Sequence, residues 1–109
     1  MRKEQIFTLA DARALLPWFA EASKEAENQI KQVQRKEADL DKAQARVHAI
    51  IQHWSETVSK LGAIPKQPFT IDFNSGTDYF CWEYPESDVA FRHDYHTGFA
   101  GRHRIKEES

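Results

Sequence analysis

Glycine is absent from residues 1–61, and all four glycines lie in the rest of the chain, together with Pro65, Pro68 and Pro85. Glycine and proline interrupt regular structure more strongly than any other residues. The first part, rich in Ala, Glu, Lys and Gln, is therefore predicted to be helical. The second part holds most of the aromatic residues between turn formers, which favours short strands. The pattern predicts an α+β fold whose helical part ends near Leu61.

Cysteine is almost as scarce, because Cys81 is the only one. The fold therefore cannot rest on an internal disulfide framework. No apolar run approaches the roughly 20 residues that a membrane-spanning helix needs. The charged start, residues 1–5, is not followed by the apolar segment of a secretory signal. We expect a soluble, cytoplasmic protein that does not associate with membranes.

A strong excess of one charge is also lacking. The formal net charge is -2, with an excess of one positive charge in residues 1–61 and of three negative charges after them. Neither part has the basic footprint of a duplex-binding protein, so we expect no nucleic-acid partner. A chain of 109 residues is expected to form one domain, residues 1–109, with a helical part (1–61) and a small sheet with a C-terminal loop (62–109).

The helical part begins with a capping pattern. Thr8 can accept a hydrogen bond from the backbone N–H of Asp11, three residues on, as an N-cap does. A short N-terminal helix is expected over residues 9–15. Pro17 is tolerated at the first position of a helix and not in its interior, so we expect it to open the main helical region, residues 17–61.

An apolar row with a seven-residue spacing runs through this main region: Phe19, Ala26, Val33, Leu40, Val47, Trp54 and Leu61. The companion row is interrupted by Glu37 and Gln44. The interruption predicts a long helical hairpin that turns near residues 37–41, with Asp39 or Asp41 as the second N-cap. The alternative is one continuous helix in a coiled coil. Both leave apolar surface that a small chain covers poorly, so we expect a homodimer through the helical region.

Three strands are predicted after Gly62, which is well placed to end the helix in a left-handed conformation. Residues 69–73 alternate apolar and polar side chains, residues 78–84 and 89–94 follow after turns, and the tail from Tyr95 is mostly loop. The expected sheet is a three-stranded antiparallel meander.

The alternation of side chains sorts the strand residues onto two faces of this sheet. One face is apolar and is expected to lie on the helices; the count places Phe91 and His93 there. The other face is polar, and it is either solvated or a binding surface covered by a partner or by the C-terminal loop. It collects Thr70, Asp72, Asn74, Tyr79, Cys81, Glu83, Ala90, Arg92 and Asp94. This count separates Cys81 from His93 and so argues against a Cys–His nucleophile pair.

Candidate metal ligands lie between residues 81 and 103. His93 and His96 flank Asp94, and Cys81 could add a thiolate. The spacing matches no known zinc pattern, so we expect neither a metal nor another cofactor, with His93 and His96 as the alternative metal pair. Arg102 follows two glycines in residues 98–102, where backbone amides and a guanidinium could hold a small anion.

Several short motifs resemble one family over nearly the whole chain. They are Phe7-Thr8 with Leu15-Leu16-Pro17, then Asp72-Phe73, Cys81-Trp82, His93-Asp94 and Gly98-Phe99-Ala100-Gly101-Arg102. The order is similar to that of small prokaryotic proteins known only as a domain of unknown function (number twenty-two oh three). The resemblance implies a helical hairpin joined to a small sheet, and it implies no activity. Two departures are Arg92, where the family usually has an aromatic residue, and a shorter helical region.

The resemblance implies where a shared site would lie: Asp72, Cys81, Trp82, His93, Asp94, Gly98, Gly101 and Arg102. From all these observations we expect a non-catalytic, dimeric interaction module or a module that binds a small anion. The candidate ligand-binding residues are His93, Asp94, Arg102, Asp72, Cys81, Glu83 and Arg92. The alternative is a small enzyme or metal-binding protein with a site around His93, Asp94, Cys81 and Arg102.

Overall fold

The structure, a computed structural model, describes residues 5–106; residues 1–4 of the charged start and residues 107–109 of the tail lie outside this range. Within it, the helices α1 (Leu9–Lys36) and α2 (Leu40–Lys60) form a hairpin, followed by an antiparallel sheet. The strands are β1 (Ile64–Pro65), β2 (Thr70–Asn74), β3 (Tyr79–Glu83), β4 (Phe91–His93) and β5 (His103–Arg104), in that order across the sheet. The predicted α+β class is confirmed.

Helix α1 begins as predicted but does not stop before Pro17. The Thr8 hydroxyl accepts from the N–H of Asp11, and the Asp11 carboxylate accepts from the N–H of Thr8. The separate short helix over residues 9–15 is wrong, since Pro17 lies inside α1. The proline removes one helical hydrogen bond. Leu16 and Phe19, on either side of it, are both buried and hold the two segments in one helix.

The helical region turns back at the predicted place. Glu37, in an extended conformation, ends α1, and the side chain of Asp39 accepts from the N–H of Lys42 to start α2. The alternative of one continuous helix is wrong. The seven-residue row crosses this turn, which explains why its central member, Leu40, is 77 % exposed.

The sheet is an antiparallel meander, as predicted, but within the described residues it has five strands and not three. The three predicted strands correspond to β2, which is shifted by one residue, and to β3 and β4, which have narrower bounds. The two missed strands, β1 and β5, are two residues long and pair with the edges of this meander. Two residues are too few for an alternation pattern, and they lie in the proline-containing linker and the glycine-containing tail. Gly62 has the expected positive φ of 87° after α2.

Aromatic side chains join the hairpin to one face of the sheet. Phe73 of β2 makes edge contacts with Phe7 and Phe19, and Trp54 of α2 makes one with Phe69. Trp54 is buried, and its indole N–H donates to the hydroxyl of Ser23 over 2.9 Å. The fully buried Ser23 thus satisfies the one polar group that this large side chain brings into the core.

Replacing Ser23 with alanine is expected to lower the free energy of unfolding by about 1–3 kcal/mol, because the buried indole N–H of Trp54 loses its acceptor. Urea unfolding followed by tryptophan fluorescence measures the change. Ser87→Ala, at an exposed position, is the matched control and should change stability by less than about 0.5 kcal/mol. Equal effects of the two substitutions would contradict the role of Ser23.

The far half of the hairpin contributes little to the core. The last buried residue of α1 is Ala26, and the first of α2 is Trp54. Beyond them the helices extend with half-buried and exposed side chains, including Val33, Leu40 and Val47. Neither of the two described helices has the length and apolar character needed to cross a membrane.

Candidate functional site

The pairing of β4 reverses the faces expected for this strand. Cys81 lies opposite both Asp72 and Phe91, and Tyr79 lies opposite His93. Directly paired residues of an antiparallel sheet share a face, so His93 lies on the face of Cys81 and Asp72. The expectation that Cys81 and His93 lie on opposite faces is wrong. Strand β4 begins at Phe91, and the loop before it breaks the count of two along the chain.

Three potential metal ligands meet on this outer face of the sheet. A carboxylate oxygen of Asp72, the Sγ of Cys81 and a ring nitrogen of His93 all lie within 4.8 Å of one another. Asp72 and His93 are 2 % exposed and Cys81 is fully buried. Central strands β2, β3 and β4 each supply one of the three, so the sheet itself fixes their separation. Of the two alternatives for the polar face, the solvated surface is therefore wrong for these three residues, which form a buried cluster.

The hydrogen bonds of His93 define which nitrogen carries a proton. Nδ1 is 2.7 Å from the backbone carbonyl of Asp94, and a carbonyl only accepts, so Nδ1 is the protonated nitrogen. Nε2 is 3.1 Å from Oδ1 of Asp72. In a neutral imidazole of this tautomer, Nε2 offers a lone pair, and so does the carboxylate. Their approach requires a proton or a metal cation between them.

Cys81 is an unreactive thiol in this environment. Burial raises its pKa to about 12, and the neighbouring carboxylate of Asp72, to which the thiol is also hydrogen-bonded, adds to the rise. The positive charge of Arg102 acts in the opposite direction but does not compensate. Because the thiolate is the nucleophilic form of cysteine, the metal-free site is unsuited to nucleophilic catalysis near neutral pH.

This thiol is expected to resist modification in the folded, metal-free protein. Ellman's reagent at pH 8 should label less than about a tenth of Cys81 in the time that labels the urea-unfolded chain completely, since folding buries the sulfur and suppresses the thiolate. Rapid labelling of the folded protein at the rate of a free cysteine would show that the cluster is open.

Arg102 covers the cluster from the C-terminal side. Its guanidinium lies 3.9 Å from the ring centre of Phe91 and 4.6 Å from that of Phe99. One of its NH₂ groups donates to both carboxylate oxygens of Glu86, at 2.8 and 2.9 Å, and Glu83 lies 3.8 Å away. These carboxylates already neutralise the arginine, so an anion site centred on Arg102 is not favoured.

The remaining predicted site residues lie around the cluster and not in it. The exposed Asp94 accepts from the N–H groups of Thr97 and His96, and these bonds lower its pKa. His96 is also exposed. Arg92 lies on the helix-facing side, where its guanidinium is 5.1 Å from the ring centre of Phe80 and pairs with Asp78.

Asp78 shows that Arg92 is held as a structural partner. Burial on its own would raise the pKa of this carboxyl, but hydrogen bonds from Arg92 and Ser75 outweigh that effect and lower the pKa. Arg92 in turn has its pKa raised by the same hydrogen bond. The pair therefore stays charged. It attaches strand β4, through Arg92, to the turn that joins β2 and β3, through Asp78.

A pocket of about 420 Å³ lies next to the cluster. Asp72 forms part of its wall, and Lys66, Thr70, Gly98 and Phe99 surround it. Sequence reasoning missed Lys66 and Glu86, because one lies in the linker before β2 and the other in a turn. The resemblance motif ending in Arg102 was the available signal that the C-terminal loop belongs to the site.

Comparisons with curated proteins and with solved structures found no match. The sequence model of one protein family, described as an uncharacterized conserved protein, DUF2203, matches residues 5–105. This range includes the hairpin, the sheet and every residue of the cluster. The chain therefore belongs to the DUF2203 family, as the motifs around Cys81, His93 and Arg102 predicted.

Proposed function

We propose that the chain binds one transition-metal ion of the zinc class through Asp72, Cys81 and His93. The observation that supports this proposal is the convergence of a carboxylate, a thiol and an imidazole, all buried, within 4.8 Å. Sulfur, nitrogen and oxygen donors together suit zinc and neighbouring divalent metals. The proposal departs from the expectation drawn from spacing, since Asp72 and Cys81 are distant from His93 along the chain.

The distances support such an ion. Zinc bond lengths of 2.0–2.3 Å in a tetrahedron separate ligand atoms by roughly 3.4–3.6 Å. The pair of His93 and Asp72 is at 3.1 Å, and all three ligand atoms lie within 4.8 Å, so side-chain shifts of roughly 1 Å bring them to these separations. The hydrogen bond from Nδ1 of His93 to a backbone carbonyl is the outer contact that orients metal-binding histidines.

Charge balance supports the same conclusion. A carboxylate, a thiolate and a neutral imidazole carry two negative charges, which a divalent cation cancels inside the protein. The cation would also replace the proton that the contact between His93 and Asp72 otherwise requires. Arg102 favours the thiolate form of Cys81. The same thiol that is inert without metal thereby becomes a suitable ligand.

Metal binding is favoured over a cysteine nucleophile on geometric grounds. A catalytic Cys–His pair needs an imidazole nitrogen free to take the thiol proton. Here Nδ1 donates to a carbonyl and Nε2 faces Asp72, while the thiol is hydrogen-bonded to Asp72. The raised pKa of Cys81 acts in the same direction. Three protein ligands also leave one position of a tetrahedron open, as in zinc sites that bind small molecules.

Titration with Co²⁺ after treatment with a chelator tests the site. We expect saturation at one ion per chain, with thiolate-to-cobalt charge-transfer absorption, and displacement of Co²⁺ by Zn²⁺. Cys81→Ser should remove the charge-transfer band, and His93→Ala should reduce affinity by more than about 100-fold. His96→Ala is the matched control, because His96 is exposed and three residues away.

The outcomes separate the alternatives. Unchanged Co²⁺ binding by Cys81→Ser and His93→Ala would overturn the proposal. Loss of binding in both His96→Ala and His93→Ala, with Cys81→Ser unaffected, would instead support a site formed by His93 and His96. Circular dichroism of each variant confirms that it is folded before its affinity is compared.

We also infer that two copies associate through one side of the helical hairpin. Two connected grooves run along one side of α1 and α2 and share Gln29 and Ile50. Glu25 lies at one end and Lys36 and Arg46 at the other, with Glu37 paired to Arg46 at 4.0 Å. A second copy placed antiparallel would set Glu25 opposite Lys36 of its partner, so the charges are self-complementary.

Sedimentation velocity tests this association. Ile50→Glu places a charge in the middle of the proposed interface, and we expect it to convert a dimer into a monomer. Val47→Glu is the matched control, because Val47 lines a different groove of the same hairpin. A monomeric parent protein, or a dimer broken by Val47→Glu and not by Ile50→Glu, would contradict the inference.

A further inference from the structure

The pocket beside Asp72 has the features of a ligand site whose chemistry the metal alone does not define. Its volume of about 420 Å³ lies in the range of small-molecule pockets. Asp72, a proposed metal ligand, forms part of its wall while being only 2 % exposed. A molecule in this pocket would therefore lie next to one of the proposed metal ligands. This inference rests on the proposed metal site.

The charges around the pocket are few and of opposite sign. Lys66 and Asp72 are the only charged residues that line it among residues 5–106. With the divalent ion bound, Asp72 and Cys81 are neutralised, so Lys66 remains as one positive charge. Its ammonium lies 6.0 Å from the ring centre of Tyr79, and within the described part of the chain it pairs with no carboxylate.

We propose that this pocket binds a small monocarboxylate, whose carboxylate pairs with Lys66 while its body lies against Phe99 and faces the open position of the metal. One ammonium matches one negative charge, whereas a phosphate dianion would keep an excess negative charge in a pocket whose only other charged lining residue, among the described residues, is Asp72. Phe99 is 46 % exposed and supplies an apolar wall that a purely polar ion would not use.

Gly98 gives the pocket its shape on the side of the C-terminal loop. Its φ is 62°, in the left-handed region that favours glycine. A Cβ added to Gly98 would have no heavy atom within 4 Å, so the space beside this residue is empty. This conformation turns the chain into the short 3₁₀ turn Phe99–Gly101, which presents Phe99 and leads to Arg102. The loop that covers the cluster therefore also forms one wall of the pocket.

Benzoate is the probe, and benzamide, of the same shape without the charge, is its neutral control. In the Co²⁺-loaded protein, we expect saturable changes in the cobalt spectrum with benzoate and a response at least tenfold weaker with benzamide. Lys66→Ala should weaken benzoate binding by about tenfold and leave Co²⁺ affinity unchanged. Lys66→Arg should retain binding, and Lys60→Ala, a lysine outside the pocket, should behave like the parent.

Each outcome bears on one of the two proposals. Co²⁺ uptake without saturable benzoate binding, or with binding that Lys66→Ala does not weaken, overturns the carboxylate pocket and leaves the metal site standing. If no Co²⁺ is bound, the same titration is followed by ¹H–¹⁵N spectra of the metal-free protein. Benzoate shifts near Lys66 that disappear in Lys66→Ala then support the pocket without the metal, and their absence overturns both proposals.

Discussion

Replacing Phe73 with alanine is expected to lower the free energy of unfolding by about 3–5 kcal/mol. Phe73 is fully buried, and its ring contacts Phe7 at 5.3 Å and Phe19 at 5.5 Å between ring centres. It therefore joins the segment before α1, helix α1 and strand β2 at one point. The expected loss is a large part of the 5–15 kcal/mol that holds a domain of this size together.

The cavity left by this substitution cannot close easily. The N–H of Phe7 donates to the backbone carbonyl of Asn74 over 2.7 Å, which fixes the first aromatic partner beside β2. Helix α1 is anchored on both sides of Phe19 by Leu16 and Ser23, so the second partner cannot shift inward alone. The removed ring therefore leaves unfilled volume, which adds to the lost hydrophobic transfer energy.

Urea unfolding measures the effect of Phe73→Ala, with one slope of the free energy of unfolding against urea concentration used for the parent protein and the variants. Trp18→Ala is the control, because Trp18 is an aromatic residue of α1 that is 70 % exposed. Its replacement should cost less than about 1 kcal/mol. A cost of Trp18→Ala equal to that of Phe73→Ala would show that the hairpin packs on the sheet through another face.

Local signals were sufficient to predict the helical half of the fold. Thr8, Asp39 and Gly62 each act through residues within three positions of themselves, so the sequence contains the whole interaction. Pro17 was misread for the opposite reason. The hydrogen bond that the proline removes is a local loss. The burial of Leu16 and Phe19 outweighs that loss, and it arises only when the helix packs against the sheet.

The cluster could not be predicted from the alternation of side chains along single strands, because it depends on how the strands pair. The faces of β2 and β3 were predicted correctly, because a tight turn keeps their count in phase. The connection of residues 84–90 does not preserve that phase, so the count placed His93 on the wrong face and Arg92 in the candidate site. The resemblance named Asp72, Cys81 and His93 without saying that they touch.

Glu86 connects the core of the sheet to the loop that covers the cluster. Its backbone carbonyl accepts from the indole N–H of the buried Trp82, and its carboxylate accepts from the N–H of Glu83 and from Arg102. Glu86 is thus fixed to the core by Trp82, and its carboxylate in turn fixes the C-terminal loop through Arg102. This arrangement explains why Arg102 matters more for the site as a structural partner than as an anion receptor.

Removing Arg102 is expected to destabilise the protein strongly. Arg102→Ala should lower the free energy of unfolding by about 2–4 kcal/mol. Breaking a buried ion pair costs about 3–5 kcal/mol, and we reduce this figure because the side chain of Glu86 is still 28 % exposed. The lost stacking of the guanidinium on Phe91 and Phe99 adds to the cost.

Two further variants identify the cause of this loss. Arg102→Lys keeps the charge but not the planar group that stacks and donates in two directions, so we expect an intermediate cost of about 1–2 kcal/mol. Arg104→Ala is the matched control, because Arg104 also lies over Phe91, at 5.1 Å, but is exposed. Urea unfolding gives the energies, and amide exchange should show faster exchange in residues 98–102 of Arg102→Ala. Equal stability of the Arg102→Ala and Arg104→Ala proteins would mean that the covering loop is held by other contacts.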